Sequence, residues 1–218
     1  MKLPEILCGG KKYQVAKVIC VGRNYAEHAK ELGNEIPEFP LVFMKPPSNI
    51  GFSGAVVEFP PHSTDLQYET ELVLLIGKDI KNVDEAEAEN AITGYAAGFD
   101  FTLRDIQMDA KKRGIPWTLA KCFDNAAILS EFKSKEEYKI DLSEEILLHV
   151  NGVERQRAEL NLMLFKPAQI VSYLSHKMTI NEGDLIFTGT PGGVGSLSKG
   201  DKLKASISNI ANLEAEIG

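Results

Sequence analysis

Two glutamates, Glu69 and Glu71, open the most apolar stretch of the chain, Leu72-Val73-Leu74-Leu75-Ile76. On an extended backbone, residues i and i+2 project from one face about 6–7 Å apart, so both carboxylates point the same way. Ionised at that spacing they repel, and burial beside an apolar run makes the repulsion worse. A divalent cation removes the conflict, and Mg²⁺ and Mn²⁺ favour carboxylate oxygens. Without one, the pair reads as the solvated edge of a strand. A third acid, Asp100, sits in Gly94-Tyr95-Ala96-Ala97-Gly98-Phe99-Asp100-Phe101, where no neighbour on the N-terminal side is charged. Aspartate is rarely buried in such surroundings without a partner, which turns the pair into a candidate set of metal ligands. Its alternative role is the N-cap of a helix starting at Thr102.

Other spacings carry further chemistry. His28 and Glu31 share a helix face three residues apart. A carboxylate beside an imidazole orients it and raises its basicity, as deprotonation of a water requires; the same spacing also describes an ordinary surface pair. Lys121 ends Pro116-Trp117-Thr118-Leu119-Ala120, where a lysine on an apolar loop could polarise a carbonyl or simply extend its stem over the surface. Arg104 and Gln107 lie three apart, so one helix face offers both to an anion. The run Gly189-Thr190-Pro191-Gly192-Gly193 could present backbone N–H groups to an anion, but lacks the Lys-Ser/Thr of a phosphate-binding P-loop. His62, His149 and His176 have no metal-spaced partners.

The elements that must position these residues follow from pattern. Cys8-Gly9-Gly10-Lys11-Lys12 is a turn between two short strands. Val15 to Val21 reads as a strand running into a helix from Ala26 to Leu32, closed by Gly33-Asn34. Pro40 to Lys45 is a strand, and Leu72 to Gly77 is a strand buried on both faces. Asp84 to Asn90 is a helix, Ala91 to Phe101 a central strand, and Thr102 to Arg113 a helix. Asn151-Gly152 turns a hairpin between Glu145–Val150 and 153–157. A helix over Lys166–Lys177, a strand at Leu185–Thr188 and final strands after Asp201 complete the chain. Strands outnumber short, scattered helices, so the expected class is a β-rich α+β fold, read as one domain over residues 1–218.

Composition excludes other roles. The 218 residues carry 24 basic and 31 acidic side chains, a formal charge of -7. The longest basic run, Lys111-Lys112-Arg113, is too short to track a phosphate backbone, so no nucleic-acid partner is expected. No apolar run approaches the ~20 residues of a membrane span, and the N-terminus lacks a signal-peptide core. Three cysteines, Cys8, Cys20 and Cys122, match no zinc pattern and fit a reducing cytoplasm.

Taken in order, several segments resemble the fumarylacetoacetate hydrolase family, in particular its small branch of acylpyruvate hydrolases that also decarboxylate oxaloacetate. They are Val21-Gly22-Arg23-Asn24-Tyr25 with His28 and Glu31, Phe43-Met44-Lys45-Pro46, Glu69-Thr70-Glu71-Leu72, Gly94-Tyr95 through Asp100 to Arg104-Asp105-Ile106-Gln107, Gly114 to Lys121, Val150-Asn151-Gly152, and Thr188 to Gly195. The resemblance implies a mixed β-roll with short peripheral helices, commonly homodimeric. It implies Mg²⁺ or Mn²⁺ on Glu69, Glu71 and Asp100, a water-activating dyad of His28 and Glu31 on a lid, and Lys121 polarising the substrate carbonyl. Arg23, Tyr25, Arg104, Gln107 and Thr190 would line the pocket of a small oxoacid. The implied reaction is C–C hydrolysis of a β-diketo acid to pyruvate and a carboxylic acid, with oxaloacetate decarboxylation beside it. The alternatives are a 2-hydroxyhepta-2,4-diene-1,7-dioate isomerase or decarboxylase and a non-catalytic oxoacid-binding protein. Tyr68 stands where close relatives often carry histidine, a departure next to the metal ligands that bears on substrate preference. The short tail ending at Gly218 suggests a light final strand.

Overall fold

The computed structural model describes residues 3–31, 33 and 35–218. At its centre lies the strand Thr70–Ile76, all seven residues buried. It pairs antiparallel with Ile92–Asp100 on one side and Leu185–Phe187 on the other. Alternation decides what each face touches. Leu72, Leu74 and Ile76 enter the larger core, while Val73 and Leu75 enter a smaller one with Val18, Cys20 and Phe187. A continuous apolar run therefore serves two cores at once, as its sequence predicts.

The main sheet runs in the order Leu41–Lys45, Val18–Gly22, Leu185–Phe187, Thr70–Ile76, Ile92–Asp100, Ala127–Leu129, Ile50–Phe52, with Lys133–Ser134 also on Ile92–Asp100. Two of its pairings are parallel, Leu185–Phe187 with Val18–Gly22 and Ala127–Leu129 with Ile50–Phe52. A second sheet, ordered Val153–Glu159, Glu145–Val150, Lys202–Ile207, Ala211–Ile217, Ala55–Val57, closes the larger core from the other side through Ile146, Leu148, Leu203 and Leu213. The helix Glu85–Ala91 starts as expected, with Asp84 accepting from Glu87 N–H, and packs on Pro167–Ser175. The hairpin turn at Asn151-Gly152 has both residues at positive φ, as such two-residue turns demand. The β-rich α+β reading holds.

Three local expectations change. The helix expected from Thr102 begins at Arg104, because Thr102–Leu103 is taken into antiparallel pairing with Leu66–Tyr68. Lys121 is not on a loop but ends a one-turn helix, Thr118–Lys121. The last strand is not light: Ala211–Ile217 pairs with Lys202–Ile207 on one edge and Ala55–Val57 on the other. The helix after Tyr25 spans Ala26–Glu31, and its expected end at Leu32 and Asn34 lies outside the described residues. Strands of three residues, such as Leu66–Tyr68 and Ala127–Leu129, are too short to show a period. No described helix is long and apolar enough to cross a membrane.

Candidate metal centre and substrate pocket

The register of the two central strands assembles the acidic set. Thr70 faces Phe99 and Glu71 faces Gly98, so the next step places Asp100 opposite Glu69, and Asp100 N–H donates to the Glu69 carbonyl at 2.8 Å. Glu69, Glu71 and Asp100 are only 6, 2 and 0% exposed, and each offers an oxygen within 4.8 Å of the others. The solvated-edge and helix-cap roles are thereby excluded.

Each carboxylate is held by a different partner. Glu69 accepts from Arg104 Nη2 at 2.6 Å and from Lys121 Nζ at 2.8 Å. Asp100 accepts from Lys121 Nζ at 2.8 Å and lies 2.9 Å from Lys45 Nζ. Lys45, fully buried, also donates to the carbonyls of Phe101, at 3.1 Å, and Lys121. Glu71 accepts only a backbone donor, Gly189 N–H at 2.6 Å. Gly189 adopts φ +99°, and a Cβ there would fall 2.7 Å from Asn24 Cβ, so glycine is what brings this amide to the acid.

Three carboxylates thus face three cations, Lys45, Lys121 and Arg104, but unevenly. Burial alone would raise the Glu69 carboxyl; the charges of Lys121 and Arg104 outweigh it and hold it well below the usual range. Burial, then the charges of Asp100 and Glu69, pushes Glu71 well above that range. Glu71 is the group whose ionisation a divalent ion would rescue. An oxygen that accepts one hydrogen bond keeps a second lone pair, so the donors already present do not close the site to a cation. The donor chemistry, three clustered carboxylates, fits Mg²⁺ or Mn²⁺.

A narrow pocket, with a cavity volume of about 20 Å³, opens over this set, lined by Arg23, His28, Phe43, Glu69, Glu71, Arg104, Gln107, Lys111, Trp117, Lys121 and Thr190 among others. Of the expected site residues, Tyr25, Glu31 and the fully buried Asp100 do not line it. Tyr25 is buried in the larger core, and burial with the charge of Glu71 pushes its phenol up. Glu31 lies beside His28, but with 3.7 Å between Oε2 and Nδ1. Its carboxylate instead accepts from Gly193 N–H at 3.1 Å. Burial pushes the His28 imidazole below its ordinary value, toward the neutral form. Tyr68 turns away from the pocket to a groove with Val153, Arg155 and Gly195, and lies near enough to Glu31 to feel its charge.

Two expected pocket residues have different donor capacity than their types suggest. Lys121 lines the pocket, yet its three N–H bonds are all directed, to Glu69, Asp100 and, at 2.6 Å, Thr102 Oγ1. It offers the pocket charge rather than a free donor. Thr190 Oγ1 accepts from Gln156 Nε2 at 2.8 Å, which leaves its own O–H to donate. Arg104 Nη1 donates to Gln107 Oε1 at 2.6 Å, turning the Gln107 NH₂ toward other acceptors.

Lys45, Lys111 and Gln156 were not singled out from the sequence. Lys111 had a signal: Arg104, Gln107 and Lys111 follow at i, i+3 and i+7, one face of the helix Arg104–Arg113. Burial, then the charges of Arg23 and Arg104, lowers Lys111 from 10.5 to about 8. Folding therefore opposes this cation. Between pH about 8 and 10.5 the unfolded chain holds a proton that the folded chain sheds, and stability from this group rises with pH. In denaturant melts, the wild type should gain on Lys111→Met as pH is raised from 7 to 10. A difference that does not change with pH would contradict the burial of this cation.

Comparison with known proteins follows the same pattern. The family model described as fumarylacetoacetate (FAA) hydrolase C-terminal matches residues 17–218. The mitochondrial oxaloacetate tautomerase FAHD1 of Arabidopsis thaliana is 41% identical over 204 residues, 94% of this chain and 92% of that protein. The mitochondrial oxaloacetate decarboxylase of Dictyostelium discoideum is 40% identical over 195 residues, 89% of each. Among solved structures, fumarylpyruvate hydrolase from Pseudomonas aeruginosa in complex with Mn²⁺ and pyruvate superposes with a TM-score of 0.96 at 33% identity, covering 100% of this chain and 96% of that one.

Proposed function

The chain belongs to the fumarylacetoacetate hydrolase family, and from that premise we propose that it is a divalent-metal-dependent hydrolase of acylpyruvate-type β-diketo acids that also decarboxylates oxaloacetate. The observation that carries this reading is the buried cluster of Glu69, Glu71 and Asp100 beneath a pocket rich in cations. A divalent ion on these three ligands supplies Lewis acidity to a bound oxoacid. Arg104 and Gln107 lie on the face that would orient the substrate carboxylate. His28, buried and pushed toward its neutral form, takes a proton from water, which adds to the distal carbonyl carbon. The C–C bond then breaks, its electron pair leaves as the enolate of pyruvate, and protonation of that carbon completes the products. Lys121 contributes its charge against the negative charge that develops, its burial being opposed by Asp100 and Glu69, which hold the ammonium above its usual range.

Mass spectrometry of the products from a panel of acylpyruvates and oxaloacetate tests the reading. Pyruvate should form from both classes, stop on addition of EDTA and return with Mn²⁺. Absence of pyruvate from every substrate would sink it. One observation favours a second reading. Glu31 is held by Gly193 and lies 3.7 Å from His28, so His28 alone could shuttle a proton between carbon and oxygen of an oxoacid. A keto–enol tautomerase would change the enol absorbance of oxaloacetate without releasing pyruvate.

A further inference from the structure

In formal count, Lys45, Lys121 and Arg104 match the three acids of the floor, with the ion pairs falling on Glu69 and Asp100, but Arg23 and Lys111 line the same pocket and neither pairs with a carboxylate among the described residues. Lys111 is half-buried, with Nζ 5.4 Å from the centroid of the Trp117 ring. That contact holds the ammonium over the pocket rather than in bulk water. It shares its helix face with Arg104 and Gln107, one to two turns further along, so it lies beyond the groups expected to take the first carboxylate. A divalent ion at the floor would add two more positive charges. A monoanionic oxoacid offsets one of the surplus charges, and a dianionic one offsets two. Burial first, and then the like charges of Arg23 and Arg104, disfavour the Lys111 ammonium in the empty protein, and an anion beside it relieves both.

Resting on the function proposed above, we propose that Lys111 determines specificity by binding the distal carboxylate of the substrate, so that the preferred class is dianionic oxoacids. In a diketo acid with a second carboxylate this far end lies beyond the bond that breaks, so the contact selects the substrate without taking part in the cleavage.

Calorimetric titration of the Mn²⁺-loaded protein separates this from catalysis. The probes are 2-oxoglutarate and 2-oxopentanoate, which share chain length and differ in the distal carboxylate. The wild type should bind the dianion about 10-fold or more tightly, in keeping with one charge-assisted contact. Lys111→Met, which keeps an apolar stem, should weaken only the dianion and bring the two within about twofold, while Lys111→Arg should retain most of the preference. Lys111→Gln repeats the measurement should the Met variant fold poorly. An unchanged preference in the Met and Gln variants, an equal loss for both probes, or no preference in the wild type would overturn the assignment. If pyruvate is released from the substrate panel but the preference ignores Lys111, only this inference fails. If the preference follows Lys111 while no oxoacid is turned over, the proposed reaction fails and Lys111 keeps its role.

Discussion

Glu71→Gln should reduce turnover of every oxoacid by about 10³-fold or more and at the same time leave the metal-free protein at least as stable as the wild type. The two halves of this result come from one asymmetry. Glu69 and Asp100 are each tied to buried cations, and removing either would strand Lys121 in the interior, a change that is strongly destabilising in its own right. Glu71 has only the Gly189 amide, which a glutamine oxygen satisfies equally well. Its charge is the one opposed by burial and by both neighbouring acids, and glutamine removes that repulsion while keeping the shape. Metal dependence should vanish in the same variant. A ligand at 100 times its Kd stabilises by about 2.7 kcal/mol, and about 2–4 °C of Tm accompanies each kcal/mol in a domain of this size. Saturating Mn²⁺ should therefore raise the wild-type Tm by roughly 5–11 °C and leave Glu71→Gln within about 1 °C of its metal-free value. A full thermal shift in the variant would show that the ion sits elsewhere.

His28→Ala should divide the two reactions. Hydrolysis needs water deprotonated before it adds to a carbonyl, and a positioned base typically contributes about 10²–10⁴-fold. Decarboxylation of a β-oxoacid loses CO₂ and requires only that the enolate left behind be stabilised. Steady-state rates should show acylpyruvate hydrolysis falling by about 10²–10⁴-fold and oxaloacetate decarboxylation by about tenfold or less. His28 lines the pocket and its Nδ1 makes no hydrogen bond among the described residues, so its loss breaks no hydrogen bond there that could lower both rates together. An equal fall in both would remove His28 from the water-activating role.

The acidic centre was legible because its signals are local or arise from contrast. Glu69 and Glu71 sit two apart against an apolar run, and Asp100 is a lone charge in an apolar strand. Arg104 and Gln107 follow helical spacing, and the structure keeps them on one face. What the sequence did not reveal depends on register between distant segments. Lys45 looks like the polar end of an edge strand, yet pairing with Val18–Gly22 carries it into the interior against Asp100. Gln156 stands among charged residues of a strand whose neighbours are exposed, and only the fold buries it between Thr70 and Thr190. Lys111 was visible as helical spacing but stood in a basic run weighed only as a contact for a phosphate backbone. The His28–Glu31 pair shows the converse. Helical spacing brought them near each other, but the loop at Gly193, which no local pattern could place beside Glu31, captured the carboxylate.

The pairing of Glu69 with Asp100 across the two central strands has a mechanical side. An ion held by both residues would be a clasp on the rung that ends this ladder. Because residues 69 and 100 meet only after the register of the whole ladder is correct, the clasp cannot guide the chain toward its fold. It acts once folding is complete, by slowing escape. Bound there, the ion would govern lifetime more than assembly, and a chain stripped of metal would reach the same structure but hold it for less time.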